Sequence, residues 1–246
     1  MRAALHLLIA GLLAILTQIG GIAWLLSRLF RRKTLTFLAL YAGLTVATVA
    51  IAPVFGRVAL PCKSTASLQM HSPVFCVLNR HYVTPAMELE LNRFAQAMAQ
   101  KHPGTQTRIL DANFPFIDGV PLLPHLSHND GNKVDIALFY KNGDNEITTK
   151  TPSPLGYFAF EVGPTSCPKN RITLRWDMGW LKPLWRDLSL DTDRMKSALF
   201  WLAQNQKTEK IFVEPHLKAR FAPTQEKVRF QGCRAARHDD HIHFQI

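Results

Sequence analysis

Two histidines close to the end of the chain, His241 and His243, are separated by a single residue in a segment, 241–246, that alternates polar and apolar side chains. This period is typical of a half-buried strand, on which alternate side chains share a face. The two imidazoles therefore lie on one face, while Ile242 and Phe244 point to the other. Two imidazoles side by side, next to Asp240, predict a metal site or an acid–base site.

A second pair of suitable side chains, His128 and Asp135, lies more than one hundred residues upstream. Asp135 falls near the start of an apolar segment, 134–140, which predicts a central strand, and a buried aspartate there needs a partner for its charge. His128, Asp135 and His243 together supply three nitrogen or oxygen ligands, the number that a catalytic zinc takes from a protein. Zinc-bound water has a pKa of about 7, so the chemistry predicted is hydrolysis of an amide or ester.

Such a hydrolysis also needs a group that takes a proton from the attacking water and gives one to the leaving amine. His241 is a candidate because it shares a strand face with His243, and Asp240 and His238 are the others. Strict alternation along the strand turns Asp240 away from His243, whereas a turn at Asp240 removes that objection. The residues alone leave the choice between Asp240 and His241 open.

These motifs together resemble the penicillin-insensitive murein endopeptidases, within the wider group of lysostaphin-like and D-Ala-D-Ala metallopeptidases. The resemblance covers about residues 85–246. It rests on His125-x-x-His128, Val134-Asp135-Ile136, Ile211-Phe-Val-Glu-Pro215 and the terminal His238-Asp-Asp-His241-Ile-His243.

By that resemblance His128, Asp135 and His243 bind zinc, His241 acts in catalysis, and His238 and His125 line the site, His125 towards the substrate. In the related D,D-carboxypeptidases an acidic residue three positions before the last ligand is the general base, and Asp240 holds that position here. The implied activity is that of a zinc metallopeptidase, either an endopeptidase that cleaves D,D or L,D cross-links between peptidoglycan stem peptides or a carboxypeptidase. A catalytically silent peptidoglycan-binding module and a metal hydrolase for another amide or ester are the alternatives.

The N-terminal part contains two apolar runs, 3–26 and 34–55, each longer than the roughly 18–20 residues that cross a bilayer. Between them, residues 27–33 carry four positive charges, which favour the cytoplasm. We therefore predict a transmembrane hairpin over 1–56, anchored in the inner membrane, with residues 57–246 in the periplasm. A cleaved signal peptide is less consistent, because its apolar region is about 7–15 residues long.

Residues 57–83 lack periodicity and are predicted to be a linker, and 84–246 form the peptidase domain. Helices are predicted over 85–101, after Thr84-Pro85, and after Asp191 or Asp193. Strands are predicted at 105–112, 134–140, 157–162, 210–213 and 241–246. Because helices and strands do not alternate regularly, the predicted fold is α+β, with a mainly antiparallel central sheet flanked by helices.

Four cysteines and a net charge of +11 constrain the compartment and the partners. An even number of cysteines in an exported domain suggests two disulfides, with Cys62–Cys76 plausible by proximity and Cys167–Cys233 remaining. A cysteine zinc site is weakly indicated, since no C-x-x-C pair occurs. The basic surface suits an anionic polymer or a membrane surface rather than nucleic acid, given export. A tethered wall hydrolase would suit an envelope-spanning machine such as a type VI secretion system.

Overall fold

The computed structural model describes residues 2–120, 122–123, 125–164, 167–168, 173–176, 178–221 and 224–246. Its elements, in chain order, are α1 (Arg2–Thr17), α2 (Gly20–Ser27), α3 (Lys33–Ile51), β1 (Val58–Ala59), β2 (Leu68–Met70), α4 (Pro73–Val77), β3 (Tyr82–Val83), α5 (Pro85–Lys101), β4 (Thr107–Ile109), β5 (Lys133–Ala137), β6 (Tyr140–Lys141), β7 (Ile147–Thr148), β8 (Ser189–Leu190), α6 (Thr192–Gln204), β9 (Lys210–Phe212), α7 (Pro215–Phe221), β10 (Val228–Arg229) and β11 (His241–Gln245). Short 3₁₀ helices cover Ala52–Phe55 and Gly179–Leu184.

The first apolar run is broken rather than continuous. Gln18, between α1 and α2, has a φ of 61°, a left-handed conformation that ends α1 and reverses the chain. Gly21 lets α2 lie close to α1, because a Cβ atom there would be 2.5 Å from the carbonyl oxygen of Ala10. Hydropathy carries no information about φ, so the sequence did not predict this break.

One helical segment of the described chain, Lys33–Phe55, is long and apolar enough to cross a membrane, with 23 residues and a mean hydropathy of 2.0. A signal sequence near the N-terminus would pass the same test. The predicted hairpin of two membrane-spanning helices is therefore not confirmed. In its place are two short packed helices, α1 and α2, followed by one candidate span.

The main sheet is six-stranded, in the order β10-β9-β11-β5-β4-β2. The inner pairs, β9 with β11, β11 with β5 and β5 with β4, are antiparallel, and the outer pairs, β10 with β9 and β2 with β4, are parallel. The α+β class is confirmed, but the predicted mainly antiparallel central sheet is not, because this sheet is mixed. Residues 57–83, which were predicted to be a linker, contain the edge strand β2. This strand pairs with β4, which is distant in the sequence.

Local signals place the two helices that cover one face of the sheet. The Thr84 hydroxyl accepts a hydrogen bond from the Met87 amide at the start of α5, and the Asp191 carboxylate accepts two at the start of α6. Buried side chains of both helices belong to one core with the inward-facing β11 residues Ile242 and Phe244. The opposite face of β11 is consequently left for His241 and His243.

Two disulfides join the cysteines as expected, Cys62 with Cys76 and Cys167 with Cys233, at Cα–Cα distances of 6.1 and 5.3 Å. No thiol is free, which removes the cysteine zinc site and is consistent with an oxidising compartment. The strand predicted over 157–162 is absent from those residues. Positive φ values at Gly156 and Phe158, 86° and 67°, interrupt the extended backbone there.

Candidate metal centre

The register of the two central strands brings the predicted ligands together. In the β11–β5 pair, His243 lies opposite Asp135, and the loop between β4 and β5 carries His128 to the same face. His128 Nε2 is 3.1 Å from Asp135 Oδ1 and 3.1 Å from His243 Nδ1. The third side of this triangle, His243 Nδ1 to Asp135 Oδ1, measures 3.0 Å. All three side chains are buried.

This triangle fits a small tetrahedral cation. Zinc–nitrogen and zinc–oxygen bonds of about 2.0–2.1 Å at tetrahedral angles keep neighbouring ligand atoms roughly 3.3–3.4 Å apart, close to the distances found here. His128 Nδ1 donates to the carbonyl oxygen of Ala112 at 2.8 Å, which leaves a lone pair on its Nε2. The three atoms would repel one another as free acceptors, and a shared cation removes that repulsion.

Two side chains contact Asp135 Oδ2, the carboxylate oxygen that does not belong to the triangle. The Tyr157 hydroxyl donates to Asp135 Oδ2 at 2.8 Å, and His125 Nδ1 is 2.9 Å from the same oxygen. Burial raises the pKa of Asp135, but His128, His241 and His125 together bring it well below its ordinary value. Asp135 is therefore an ionised carboxylate, as a metal ligand must be.

His125 lies between two buried carboxylates, Asp135 and Asp111. Its Nδ1 is 3.2 Å from Asp111 Oδ2, and Asp111 Oδ2 in turn accepts from Arg80 Nη2 at 2.8 Å, while Arg80 Nε lies 2.8 Å from Asp111 Oδ1. Burial lowers the pKa of His125, but Asp135 and Asp111 outweigh burial and raise it to about 10. A protonated His125 donates to both carboxylates. Its ring also belongs to a second group of clustered ligand atoms, with His128 and Asp135, within 4.8 Å of one another.

His241 and Asp240 form a hydrogen-bonded pair next to the triangle. Asp240 lies in a bend immediately before β11, so strand alternation does not turn it away. Its Oδ1 is 2.6 Å from His241 Nδ1, and its Oδ2 accepts from the Phe158 amide at 2.6 Å. His241 Nε2 is buried without a partner among the described residues and lies 3.6 Å from Asp135 Oδ1. The pair presents one free imidazole nitrogen to the side of the proposed metal.

His238 closes the other side of the cluster, with its ring centroid 4.8 Å from that of His241 and 5.8 Å from that of His243. Its amide donates to Glu214 Oε1 at 3.3 Å. Glu214 is itself paired with both terminal nitrogens of Arg175, at 3.0 and 2.8 Å. Burial is the main reason that the pKa of His238 lies well below its ordinary value, so this ring is neutral.

All seven predicted site residues lie in one cluster. They are five histidines and two aspartates, namely His125, His128, His238, His241, His243, Asp135 and Asp240. Sequence reasoning missed the supporting residues, which are Asp111, Arg80, Tyr157, Glu214 and Arg175. Two of these residues could have been suspected from the sequence. Glu214 belongs to the motif Ile211-Phe-Val-Glu-Pro215, and Tyr157 follows Gly156. Arg80 and Asp111 have no local pattern that links them, because their contact depends on the fold.

No protein-family model matches the chain, and neither does any curated protein. The resemblance to the murein endopeptidases consequently rests on the motif residues.

Proposed function

We propose that the protein is a membrane-anchored, zinc-dependent peptidoglycan hydrolase that cleaves peptide cross-links on the periplasmic side of the inner membrane. The observation that carries this proposal is the triangle of His128, Asp135 and His243, with the His241–Asp240 pair beside it. The two disulfides and the apolar N-terminal helices support an exported, tethered domain. The motif resemblance supports stem peptides as the substrate.

Zinc held by the three ligands would lower the pKa of a bound water to about 7 and polarise the scissile carbonyl. His241 Nε2 then takes a proton from the attacking water and delivers it to the leaving amine nitrogen. Asp240 holds His241 Nδ1–H and so keeps the lone pair on Nε2. Both Asp240 oxygens are already engaged, which supports His241 as the base and Asp240 as the residue that positions it.

His125 and Tyr157 keep Asp135 in place through its outer oxygen, so that Oδ1 remains for the metal. His238, which is neutral and buried beside His241, lines the same site. The net charge of +11 suits a substrate that carries carboxylates. Components of an envelope-spanning machine, such as type VI secretion, would be the natural partners of a hydrolase confined to the membrane.

The test is digestion of purified cross-linked muropeptides by the detergent-solubilised full chain, with and without a chelator. We expect dimers to disappear, and both chelation and His128→Ala to abolish their loss. His102→Ala is the matched control, since His102 contacts Ser197 away from the cluster and should leave activity unchanged. Product masses distinguish cleavage at D-Ala–diaminopimelate from cleavage between two diaminopimelates.

Two outcomes would contradict the proposal. Full activity after chelation would remove the metal from the mechanism. Tight metal binding without any cleavage would favour the alternative, a silent peptidoglycan-binding module of an envelope assembly.

A further inference from the structure

The short helix α4 and the residues that follow it contact the N-terminal helices, and one of these contacts is to the middle part of α3. The Tyr41 hydroxyl of α3 donates to the carbonyl oxygen of Val77, and the side-chain amide of Asn79 donates to the carbonyl oxygen of Thr17 at 3.4 Å. Tyr41 precedes Phe55 by fourteen residues, about 21 Å along a helix that rises about 1.5 Å per residue. In a bilayer crossed by α3, the C-terminal end of α4 would lie level with the middle part of the candidate span and not beyond its end.

The surface around α4 is apolar. Val74 and Val77 are 45% and 56% exposed, and the nearby loop residue Ile117 is 62% exposed. The same loop is joined to the N-terminal helices, because the Phe116 amide donates to the Gln18 side chain at 3.1 Å and the Phe116 ring lies 5.1 Å from that of Phe55. This edge of the domain is continuous with the apolar surface of the helices. A bilayer that surrounds α3 would therefore also cover α4.

The other side of α4 forms the wall of a cavity of about 190 Å³ that ends at the candidate site. Its apolar lining comes from both sides, namely Val74, Phe75, Leu78, Leu155, Phe158 and Trp176. Polar side chains that include Arg80, Asp111 and Arg237 also line it, and His125, Asp240 and His241 connect it to the candidate site. A mostly apolar pocket with a few converging polar groups is the usual form of a site for a small organic ligand.

We propose that this cavity binds the aliphatic chain of a lipid-linked substrate, which reaches the site from the membrane past α4. The inference rests on the proposed function and adds a substrate class to it, because the aliphatic chain would bring an attached amide to His241. A fully polar peptide has no group that would cover the Leu78 and Phe158 side of the cavity. An aliphatic chain covers it, and the membrane contact of α4 supplies such chains at the mouth of the cavity.

The first test uses palmitic acid that carries a photoreactive diazirine on its chain, added to the full chain in phospholipid vesicles. Labelled peptides are mapped by mass spectrometry after irradiation. We expect labels in segments 73–78 and 155–160 in addition to labels in α1–α3. Leu78→Trp narrows the cavity and should reduce labelling of 155–160 by about fivefold or more.

Val77→Trp is the matched control, because Val77 precedes Leu78 at the end of α4 but does not line the cavity. It should retain the labelling of 155–160. Labels confined to α1–α3 in the natural sequence, or equal loss of labelling of 155–160 in both variants, would overturn the inference.

A second measurement separates this inference from the proposed function. Soluble muropeptide dimers are digested in the presence of increasing palmitate, which should inhibit the natural sequence several-fold more than Leu78→Trp. Cleavage of muropeptides without any cavity labelling would leave the hydrolase standing and remove the lipid site. Cavity labelling without muropeptide cleavage would support the lipid site and count against the hydrolase.

Discussion

Asp240 uses both carboxylate oxygens on neighbours, one on His241 Nδ1 and one on the Phe158 amide. If Asp240 positions His241, then Asp240→Asn, which offers an amide donor in place of an acceptor, should lower kcat by about 10²–10⁴-fold, as should His241→Ala. The kcat of the double variant should be no lower than that of the less active single variant, because the two residues act as a unit. Steady-state kinetics measures the change in kcat, and metal analysis by mass spectrometry should show an unchanged metal content in each variant. Near-normal activity of His241→Ala would instead identify Asp240 as the base.

Arg80 and Asp111 form a buried ion pair one layer behind the site, with Arg80 Nε 2.8 Å from Asp111 Oδ1. Arg80→Met leaves Asp111 charged and without its main partner, so we expect a loss of about 3–5 kcal/mol in the free energy of unfolding. Lys210→Met is the matched control, because the Lys210–Glu209 pair has the same 2.8 Å distance at the surface. Its loss should be below about 1 kcal/mol. Urea unfolding of the solubilised full chain measures both, and equal losses would contradict the argument.

At the scale of elements, the sequence predicted what is decided locally. Thr84 and Asp191 identify the starts of α5 and α6 through capping, and the alternation after Asp240 identifies β11 and its site face. The β2–β4 pairing and the break at Gln18 depend on distant contacts or on backbone angles, so no local pattern predicts them. The same distinction applies to the candidate site, whose proposed ligands fall in recognisable sequence motifs and whose supporting residues do not.

The turn before Phe158 is an element on which the site depends. Gly156 has a φ of 86°, and a Cβ atom there would be 2.3 Å from Leu110 Cδ2, in the closed core. Gly156→Ala should therefore lose about 1–3 kcal/mol in the free energy of unfolding beyond the backbone strain, through overpacking. It should also lower activity, because Tyr157 and the Phe158 amide shift with the turn.

Gly119→Ala supplies the comparison for that turn. Its φ of 81° is similar, but no heavy atom lies within 4 Å of the added Cβ atom. Only the backbone strain of about 1 kcal/mol remains. Urea unfolding and muropeptide digestion of the two variants together measure the difference, and equal stability of both would show that Leu110 moves aside freely.

The stability of the whole domain should fall as the solution is acidified, because two histidines outside the candidate metal site are held neutral. Burial is the main cause that lowers the pKa of both His71 and His81 to about 4. For His71, the charge of Arg108 adds to that effect. The unfolded chain, with an ordinary pKa of about 6.5, binds a proton first as the pH falls. Protonation therefore stabilises the unfolded state relative to the folded state between about pH 6.5 and pH 4.

Each histidine should thus remove up to about 2 kcal/mol of stability between pH 7 and pH 5, with a smaller share from His71, which is only half-buried. His81→Gln removes one titrating group, so the midpoint of thermal unfolding should fall less steeply between pH 7 and pH 5 than in the natural sequence, whatever its value at pH 7. Circular dichroism of the solubilised full chain, with a chelator added to both proteins, provides the measurement. The candidate metal site titrates alike in both, so the difference in slope reports His81 alone. Identical slopes would mean that folded His81 takes up its proton as readily as in the unfolded chain.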